Sequence, residues 1–377
     1  MRIRGAVRRS PFRFLEGEAG TSGTDEIHGR RDRPDEKQAP NSSGWGGHAS
    51  NRTRRETGQL GDMTSRASVS PFLIAIAAGL GSAGLYATLI GASYLALPLF
   101  LLAPMPVMIV AVSFGAAPAG LAALVAVAPI EMGLGTPAAA AFAVAMVAPS
   151  LLFGHLYLRS RALVASDPES PRAWYPLGSL LAVMALSVAV VTVVGALAIG
   201  FDADQTTGLV MEAIRQTAGP TAPPLGSPQT EAFVRTTVRL MPAAFPATWL
   251  VVLVFDLWAA VRLARLSGWV ARPREDAATV ELPIAAGVAF VAAVTAAVFA
   301  PGTAGVIGEI VAGTLVAAHF LVGLAVVHVL VRGSDMRWII LAFVYGTVLL
   351  FTLPAGLIAL LGLFEPFLGL RRRRASR

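Results

Sequence analysis

The sequence is poor in residues that carry much of the chemistry of soluble proteins. It contains no cysteine in 377 residues, which excludes disulfides, thiolate metal sites, iron–sulfur clusters and cysteine nucleophiles. Only 14% of its residues are charged, against roughly 25% in soluble domains. Lys37 is the only lysine among 30 basic residues, and with the heavy use of alanine this indicates genome composition rather than function.

Long apolar segments take the place of the missing charge. After Met63 the charges fall almost entirely between runs that are long enough to cross about 30 Å of hydrocarbon. We predict an all-α transmembrane bundle of about 8–10 segments over residues 63–370, with the lipid bilayer as its surroundings. The predicted segments lie near residues 71–90, 95–113, 117–132, 137–158, 175–200, 243–264, 283–300, 305–331 and 338–370.

The basic residues gather at the two ends of the chain. Residues 1–62 hold 12 Lys+Arg against 9 Asp+Glu, and residues 371–377 add five arginines. The body between them is nearly neutral, with 13 arginines and 14 acids. This distribution is typical of membrane anchoring and not of nucleic-acid binding.

Residues 1–62 are rich in Arg, Gly, Ser and acids and have no hydrophobic period. Such a composition cannot bury enough apolar surface to fold, so we predict a disordered N-terminal extension. Met63, followed by Thr-Ser-Arg just before the first span, is an alternative start of the protein.

Arginines in the loops predict the orientation. With a cytoplasmic N-terminus, ten loop arginines lie inside and three lie outside, in agreement with the positive-inside rule. The predicted location is therefore a bacterial-type inner membrane. The inside set is Arg66, Arg159, Arg161, Arg172, Arg262, Arg265, Arg272, Arg274, Arg332 and Arg337, and the outside set is Arg215, Arg235 and Arg239.

Prolines predict discontinuous helices. Pro98, Pro104 and Pro106 should kink or break the second span, and Pro118 and Pro129 should break the third. A single final crossing over 338–370 would place the basic tail, 371–377, outside. Two limbs hinged at Pro354-Ala-Gly356 would keep it in the cytoplasm, and we favour the hinge.

Small residues four apart, Gly79 with Ala83 and Gly308 with Ala312, predict close helix contacts. The outer loop, residues 201–242, contains two stretches with helical apolar periodicity, 207–217 and 230–240. These could form a lid over a cavity that opens outward or an interfacial packing element.

Enzyme signatures are scarce. The sequence has no P-loop, dinucleotide fingerprint, Gly-x-Ser-x-Gly elbow or HExxH motif, and we predict neither a catalytic site nor a bound cofactor. Ser113, Ser150 or Ser187 could be combined with His319 into a rhomboid-like pair, but no spacing singles one of them out.

Three ionisable residues remain inside the apolar segments. Asp256, Glu309 and His319 are the candidate solute-binding residues, because a polar group in hydrocarbon is costly unless it is paired or functional. Asp256 could serve as a proton, cation or solute site or as half of a helix-to-helix pair. Arg262 is an unsuitable partner, because six residues place it about 120° round the helix.

Helix geometry argues against a metal site. Glu309 and His319 are about 80° and about 15 Å apart on a regular helix, and His319 and His328 point to nearly opposite faces. We predict that His155, His328 and Glu131 lie at the membrane interfaces.

Four motifs carry a family resemblance. They are Ala96-Leu-Pro-Leu-Phe-Leu-Leu-Ala-Pro-Met-Pro106, Phe153-Gly-His-Leu-Tyr-Leu-Arg159, Phe320-Leu-Val-Gly-Leu-Ala-Val-Val-His328 and Leu361-Gly-Leu-Phe-Glu-Pro-Phe-Leu-Gly-Leu-Arg371. Together they resemble the YybS-like family of predicted membrane proteins. That family is similar in fold to the S components of energy-coupling-factor transporters, so the resemblance implies solute capture.

These observations leave two hypotheses for function. The leading one is binding or transport of a small solute, and it predicts that Asp256, Glu309 or His319 converge on a cavity near the broken second span. The other is a non-catalytic membrane scaffold or envelope-assembly factor that binds other membrane subunits.

Overall fold

The computed structural model describes residues 70–91, 94–163, 170–217, 228–276 and 279–375. Contacts divide the chain into residues 1–67 and 68–377, and all the described residues belong to the second unit. The predicted disordered extension, residues 1–62, lies outside the described residues.

The described residues are almost entirely helical, which confirms the predicted all-α class. The helices are α1 (Pro71–Ala87), α2 (Ala96–Leu101), α3 (Met105–Phe114), α4 (Ala116–Leu134), α5 (Thr136–Phe142), α6 (Ala148–Leu158), α7 (Leu177–Ile199), α8 (Ala203–Thr217), α9 (Pro228–Leu266), α10 (Ile284–Phe299), α11 (Gly302–Leu330), α12 (Arg337–Leu350), α13 (Thr352–Leu368) and α14 (Leu370–Ala375). A 3₁₀ turn, Thr88–Gly91, follows α1, and a π-helical turn, Ala143–Val147, joins α5 to α6. The strands β1 (Ser160–Ala162) and β2 (Arg172–Trp174) form one antiparallel pair, with Ser160 opposite Trp174.

Seven helical stretches in the described residues are long and apolar enough to cross a membrane. The bent pair α12 and α13 counts as an eighth if it forms one span, and α10 is a shorter apolar helix of 16 residues. These numbers agree with the predicted polytopic bundle in a lipid bilayer. One large apolar core joins residues from α1 to α11.

The second span is interrupted, as its prolines predict. Between α2 and α3 the chain makes a turn at Leu102–Pro104. The hydroxyl of Ser82 donates to the carbonyl of Ala103 at 2.5 Å, and the hydroxyl of Ser150 contacts the carbonyl of Pro104 at 3.2 Å. Ser82 thus reaches a carbonyl at the break, whereas the carbonyl of Pro104 also accepts from the backbone N–H of Met108 at 3.1 Å and so begins the regular helix α3.

The third span is not broken, so that prediction was wrong. Helix α4 runs continuously from Ala116 to Leu134. Pro118 lies in its first turn, where a backbone N–H has no partner within the helix, so proline costs little there. Pro129 is inside the helix, which nevertheless continues for five residues beyond it.

The predicted close contacts at small residues are confirmed. A Cβ atom on Gly79 would lie 2.5 Å from the carbonyl oxygen of Ala122 in α4, and one on Gly308 would lie 2.5 Å from the backbone nitrogen of Ala297 in α10. At both places the helices meet backbone to backbone, which a larger side chain would prevent.

The final apolar stretch folds as two helices. The chain direction bends by 117° between α12 and α13. The break is at Phe351, three residues before the predicted hinge. Pro354 is the third residue of α13, so it starts the second helix instead of forming the corner.

The outer loop also differs in detail from the prediction. The stretch 207–217 lies within α8, but the second amphipathic stretch is the beginning of α9, which continues through Pro242 and Pro246 for 39 residues in all. Met211 of α8 packs with Val234 and Val238 of α9 in a small apolar cluster.

Candidate functional site

His319 lies in α11 with its ring almost fully buried. Its Nδ1 is 2.7 Å from the carbonyl oxygen of Leu315 one turn earlier. A carbonyl oxygen can only accept, so Nδ1 of the neutral ring carries the proton and Nε2 is left as an acceptor. Nε2 has no hydrogen-bond partner among the described residues.

A cavity of about 450 Å³ lies beside this ring, between α10, α11 and α13. Its walls are apolar apart from His319 and Thr352. The cavity reaches the surface past exposed side chains of α13, among them Leu353 and Leu357. The other lining residues are Phe290, Val316, Gly356, Ala359, Leu360 and Leu363.

The bend at Phe351 and two glycines create this cavity. The bend turns α13 back along α11, whereas α12 leaves in another direction. Further along α13, Gly362 lies so close to α11 that a Cβ there would be 1.9 Å from the carbonyl oxygen of His319. Near the wider end, Gly356 has open space around it. The two helices therefore diverge from a tight contact, and the gap between them is the cavity.

Glu309 lies outside the cavity. It is half-buried, and no described residue forms a hydrogen bond or ion pair with it. It precedes Val316, a cavity residue, by seven positions, which places it on nearly the same face of α11 and about 10 Å along the axis. Glu309 therefore lies above the cavity on the same side of the helix.

Asp256 is fully buried at a different depth. Helices α9 and α11 run in the same direction, because Ala243 contacts Gly313 within the two helices and Asp276 pairs with Arg332 beyond their ends. Asp256 lies 13 residues after Ala243 in α9, and His319 lies 6 residues after Gly313 in α11. At about 1.5 Å per residue, the two side chains therefore differ by about 10 Å in depth along the bundle. The three predicted residues do not converge on one cavity.

The serines considered for a rhomboid-like pair have other surroundings. Ser150 donates to the carbonyl of Met146 in the preceding π-helical turn, and Ser187 donates to the carbonyl of Val183 in its own helix. The hydroxyl of Ser113 is buried without a partner among the described residues. None of the three forms a hydrogen bond with His319 in the part of the chain that the structure describes.

A second cavity, of about 340 Å³, lies between α7, α9 and α11. Its polar groups are already occupied: Trp249 donates to the carbonyl of Ala145, and Thr192 donates to that of Val188. Within the described ranges no group of three His, Asp or Glu side chains could hold a metal ion. The His319 cavity is therefore the better candidate for specific recognition.

Comparison with known proteins adds a family. A family model described as a predicted membrane protein (DUF2232) matches residues 75–365. The chain belongs to the DUF2232 family. The match runs from α1 to Glu365 and includes Asp256 and the whole His319 cavity. Comparisons with curated proteins and with solved structures gave no match.

The residues predicted to lie at the interfaces of this DUF2232 protein have varied contacts. Glu131 is exposed and accepts a hydrogen bond from Thr136 at 2.7 Å. His155 is exposed near the end of α6. His328 contacts the carbonyl of Leu324 through Nδ1 and lies 3.4 Å from the Tyr345 hydroxyl through Nε2.

Sequence reasoning missed a set of polar contacts at one end of the bundle, some buried and some at the surface, which we call the arginine cluster: Arg265, Arg272, Glu275, Asp276, Glu281, Arg332, Glu365, Arg371 and Arg374. Arg371 donates to Glu365 at 3.2 Å and to the carbonyl of Val280 at 2.8 Å. The hydrogen bond with Asp276 raises the pKa of Arg332, so this arginine stays charged well beyond neutral pH. No sequence pattern distinguishes these arginines from solvated loop arginines, apart from Glu275 three residues after Arg272.

Proposed function

We propose that this DUF2232 protein binds a small, largely apolar solute with a hydrogen-bond donor in the His319 cavity. The observation that carries the proposal is the unpartnered Nε2 of His319 beside a cavity of about 450 Å³. Ligand cavities commonly have volumes of about 300–1,000 Å³, with apolar walls and a few polar groups that fix orientation.

The chemistry of the walls restricts the solute. Nε2 would accept a hydrogen bond from a hydroxyl or amide group, and the hydroxyl of Thr352 offers a second polar contact. The remaining walls are apolar and carry no charge that could neutralise an ion, so a strongly charged solute is disfavoured. A relationship to YybS-like proteins, and through their fold to transporter S components, would make binding the capture step of transport. Fold likeness by itself supplies no site, and an ATP-driven system would need a separate nucleotide-binding partner.

A paired set of histidine variants tests the proposal. A panel of neutral amphipathic solutes is screened against the detergent-purified protein by thermal shift, and hits are measured by calorimetry. We expect His319→Leu to weaken binding of a hit by at least about tenfold, because a ligand donor left without its acceptor costs about 1–3 kcal/mol. His328→Leu is the matched control, since His328 makes the same backbone contact in the same helix. We expect unchanged affinity in that variant.

Filling the cavity gives an independent check. Gly356→Leu would place a side chain where nothing lies within 4 Å of a new Cβ, and we expect it to abolish binding of the same hit. Unchanged affinity in both His319→Leu and Gly356→Leu would contradict the proposal. A co-purifying membrane protein that tolerates both changes would favour the scaffold function.

We also propose that the arginine cluster faces the cytoplasm of an inner-membrane protein. Arg272 is buried within the protein, and subtracting it still leaves nine inside arginines against three, a bias in the same direction. Because the chain contains no cysteine, a thiol reagent can label this protein only at a cysteine that is introduced by mutation. In intact cells we expect a membrane-impermeant maleimide to label Glu212→Cys and to spare Arg274→Cys until the cells are opened. The reverse pattern would contradict this orientation.

A further inference from the structure

Asp256 is a buried acid that the His319 cavity does not use. Its side chain is 0% exposed, and both carboxyl oxygens lack a hydrogen-bond partner among the described residues. Leu253, Leu257 and Ala260, on the same helix, are buried around it. Isolated polar atoms in such surroundings are rare in folded proteins and call for an explanation.

No counter-charge faces Asp256 from the helices packed against α9, which are α3, α6, α7, α8 and α11. Helices α3 and α7 contain no titratable residue. The titratable groups of α6 are His155, which is exposed, and Tyr157, whose hydroxyl accepts from Arg265. The remaining titratable groups on these helices and on α9 itself are Asp204, Glu212, Arg215, Glu231, Arg235, Arg239, Arg262, Arg265, Glu309, His319 and His328.

The remaining groups are displaced from Asp256 or are engaged by other residues. The titratable groups of α8 and of the first turns of α9 lie where these two helices pack together, about 25 Å or more along α9 from Asp256. Arg262 is exposed and points to another side of α9, and Arg265 is held by Tyr157 and by the carbonyl of Pro273. In α11, His319 differs by about 10 Å in depth, and Glu309 lies still further away. His328 lies at a depth similar to that of Asp256, but its ring nitrogens contact the carbonyl of Leu324 and the hydroxyl of Tyr345.

Position along α9 relates Asp256 to the broken second span. Trp249 bonds to Ala145 and Arg265 bonds to Tyr157, so α9 runs beside the chain segment that contains α6. Asp256 falls between these contacts, at about the depth of Ser150, and Ser150 contacts the carbonyl of Pro104 in the break. Asp256 therefore lies at about the same depth in the bundle as the break at Leu102–Pro104 in the second span.

We propose that Asp256 is a proton-binding site, occupied in the closed bundle and emptied only when a conformational change admits water. A carboxylate without counter-charge or hydrogen bonds is too costly at this position, whereas the neutral acid avoids most of that desolvation. A metal cation would need several oxygen ligands, and the described residues offer no such group. The break at Leu102–Pro104 is the segment through which water would enter.

Infrared spectroscopy of the membrane-reconstituted full chain tests this directly. At neutral pH we expect a carbonyl-stretch band of a protonated carboxylic acid. It should shift when the protein contains aspartate labelled with ¹³C at the side-chain carboxyl, and this experiment needs no mutation. In Asp256→Asn the band should be lost completely. Asp335→Asn, at an exposed acid, is the control and should leave the band unchanged.

Stability gives the second readout. Ionisation of Asp256 should destabilise the closed bundle, so the wild-type melting temperature should fall as pH rises from neutral to alkaline values. Asp256→Asn, which cannot ionise, should remove most of that decline, and Asp335→Asn should keep it. Absence of a shifting acid band at neutral pH, or its persistence in Asp256→Asn, would overturn the proposal. Neither outcome bears on solute binding at His319.

Discussion

Arg272→Ala is expected to lower the free energy of unfolding by about 3–5 kcal/mol, the usual cost of breaking a buried charged pair. The Arg272 side chain is 1% exposed. It donates to the backbone carbonyls of Tyr157 and Tyr175 at 2.8 Å each and to the carboxylate of Glu275 at 2.9 Å through Nε. Its guanidinium also lies 4.7 Å from the ring centre of Tyr157. Alanine would leave two carbonyls and one carboxylate without their donor.

Arg274 provides a control two residues away. It is exposed, so Arg274→Ala removes the same charge from the same loop and should change stability by no more than about 0.5 kcal/mol. Arg272→Lys should recover only part of the loss, because an ammonium group cannot reproduce the planar set of donors. Unfolding by titration with a denaturing detergent measures all three variants. Equal stability of Arg272→Ala and Arg274→Ala would refute the structural role of Arg272.

The surface pair in the same cluster should matter much less. Arg332 and Asp276 are 44% and 45% exposed, and ion pairs with that exposure contribute at most about 1 kcal/mol. Burial, and not the number of ion pairs, therefore decides which arginine stabilises this end of the bundle.

Gly362→Ala is expected to have the second largest effect, a loss of about 1–3 kcal/mol from overpacking. A Cβ at Gly362 would lie 1.9 Å from the carbonyl oxygen of His319 and 2.7 Å from the backbone nitrogen of Gly323. In the other direction, a Cβ at Gly323 would lie 1.9 Å from the carbonyl oxygen of Ile358. The atoms that a new Cβ would meet belong to the backbones of the two helices, so α11 and α13 can relieve the overlap only by moving apart.

Gly356→Ala is the matched control in the same helix. A new Cβ there meets nothing within 4 Å, so the substitution should be neutral or stabilising by up to about 1 kcal/mol through helix propensity. Thermal unfolding in detergent measures the change in stability of each variant. A loss of stability in Gly362→Ala together with no loss in Gly356→Ala would support the tight contact between α11 and α13. A stabilising Gly362→Ala would mean that α11 and α13 do not meet there.

Much of the fold follows from local properties of the sequence. The positions of the spans come from hydropathy, and the break before α3 comes from the Pro104 and Pro106 pair, which cannot continue a regular helix. The expectation that proline breaks a helix failed for α4. Pro118 lies in the first turn, where proline costs little, and a helix packed in a bundle can accommodate one proline in its middle, as α4 accommodates Pro129. Pro354 likewise predicted a corner but begins a helix.

The candidate site was predictable only in part. The scarcity of charge within the spans selects Asp256, Glu309 and His319, and His319 does line a cavity. Whether residues on different helices meet depends on the rotation and depth of those helices, which no spacing within one helix can give. The sequence placed Arg272 among the loop arginines and Arg371 in the basic tail. It did not show that either is buried, because a sequence looks the same whether the chain folds back over an arginine or leaves it in water.

The sequence by itself determined that this is a polytopic helical membrane protein with few ionisable groups in its spans, because the transfer free energy of each residue is a local property. Tertiary structure alone decided that His319 opens onto a cavity and that Asp256 is sealed without a partner. It also decided that the two lie at different depths. These outcomes depend on how closely the helices approach, and that distance is set by backbone contacts at a few glycines such as Gly313, Gly323 and Gly362.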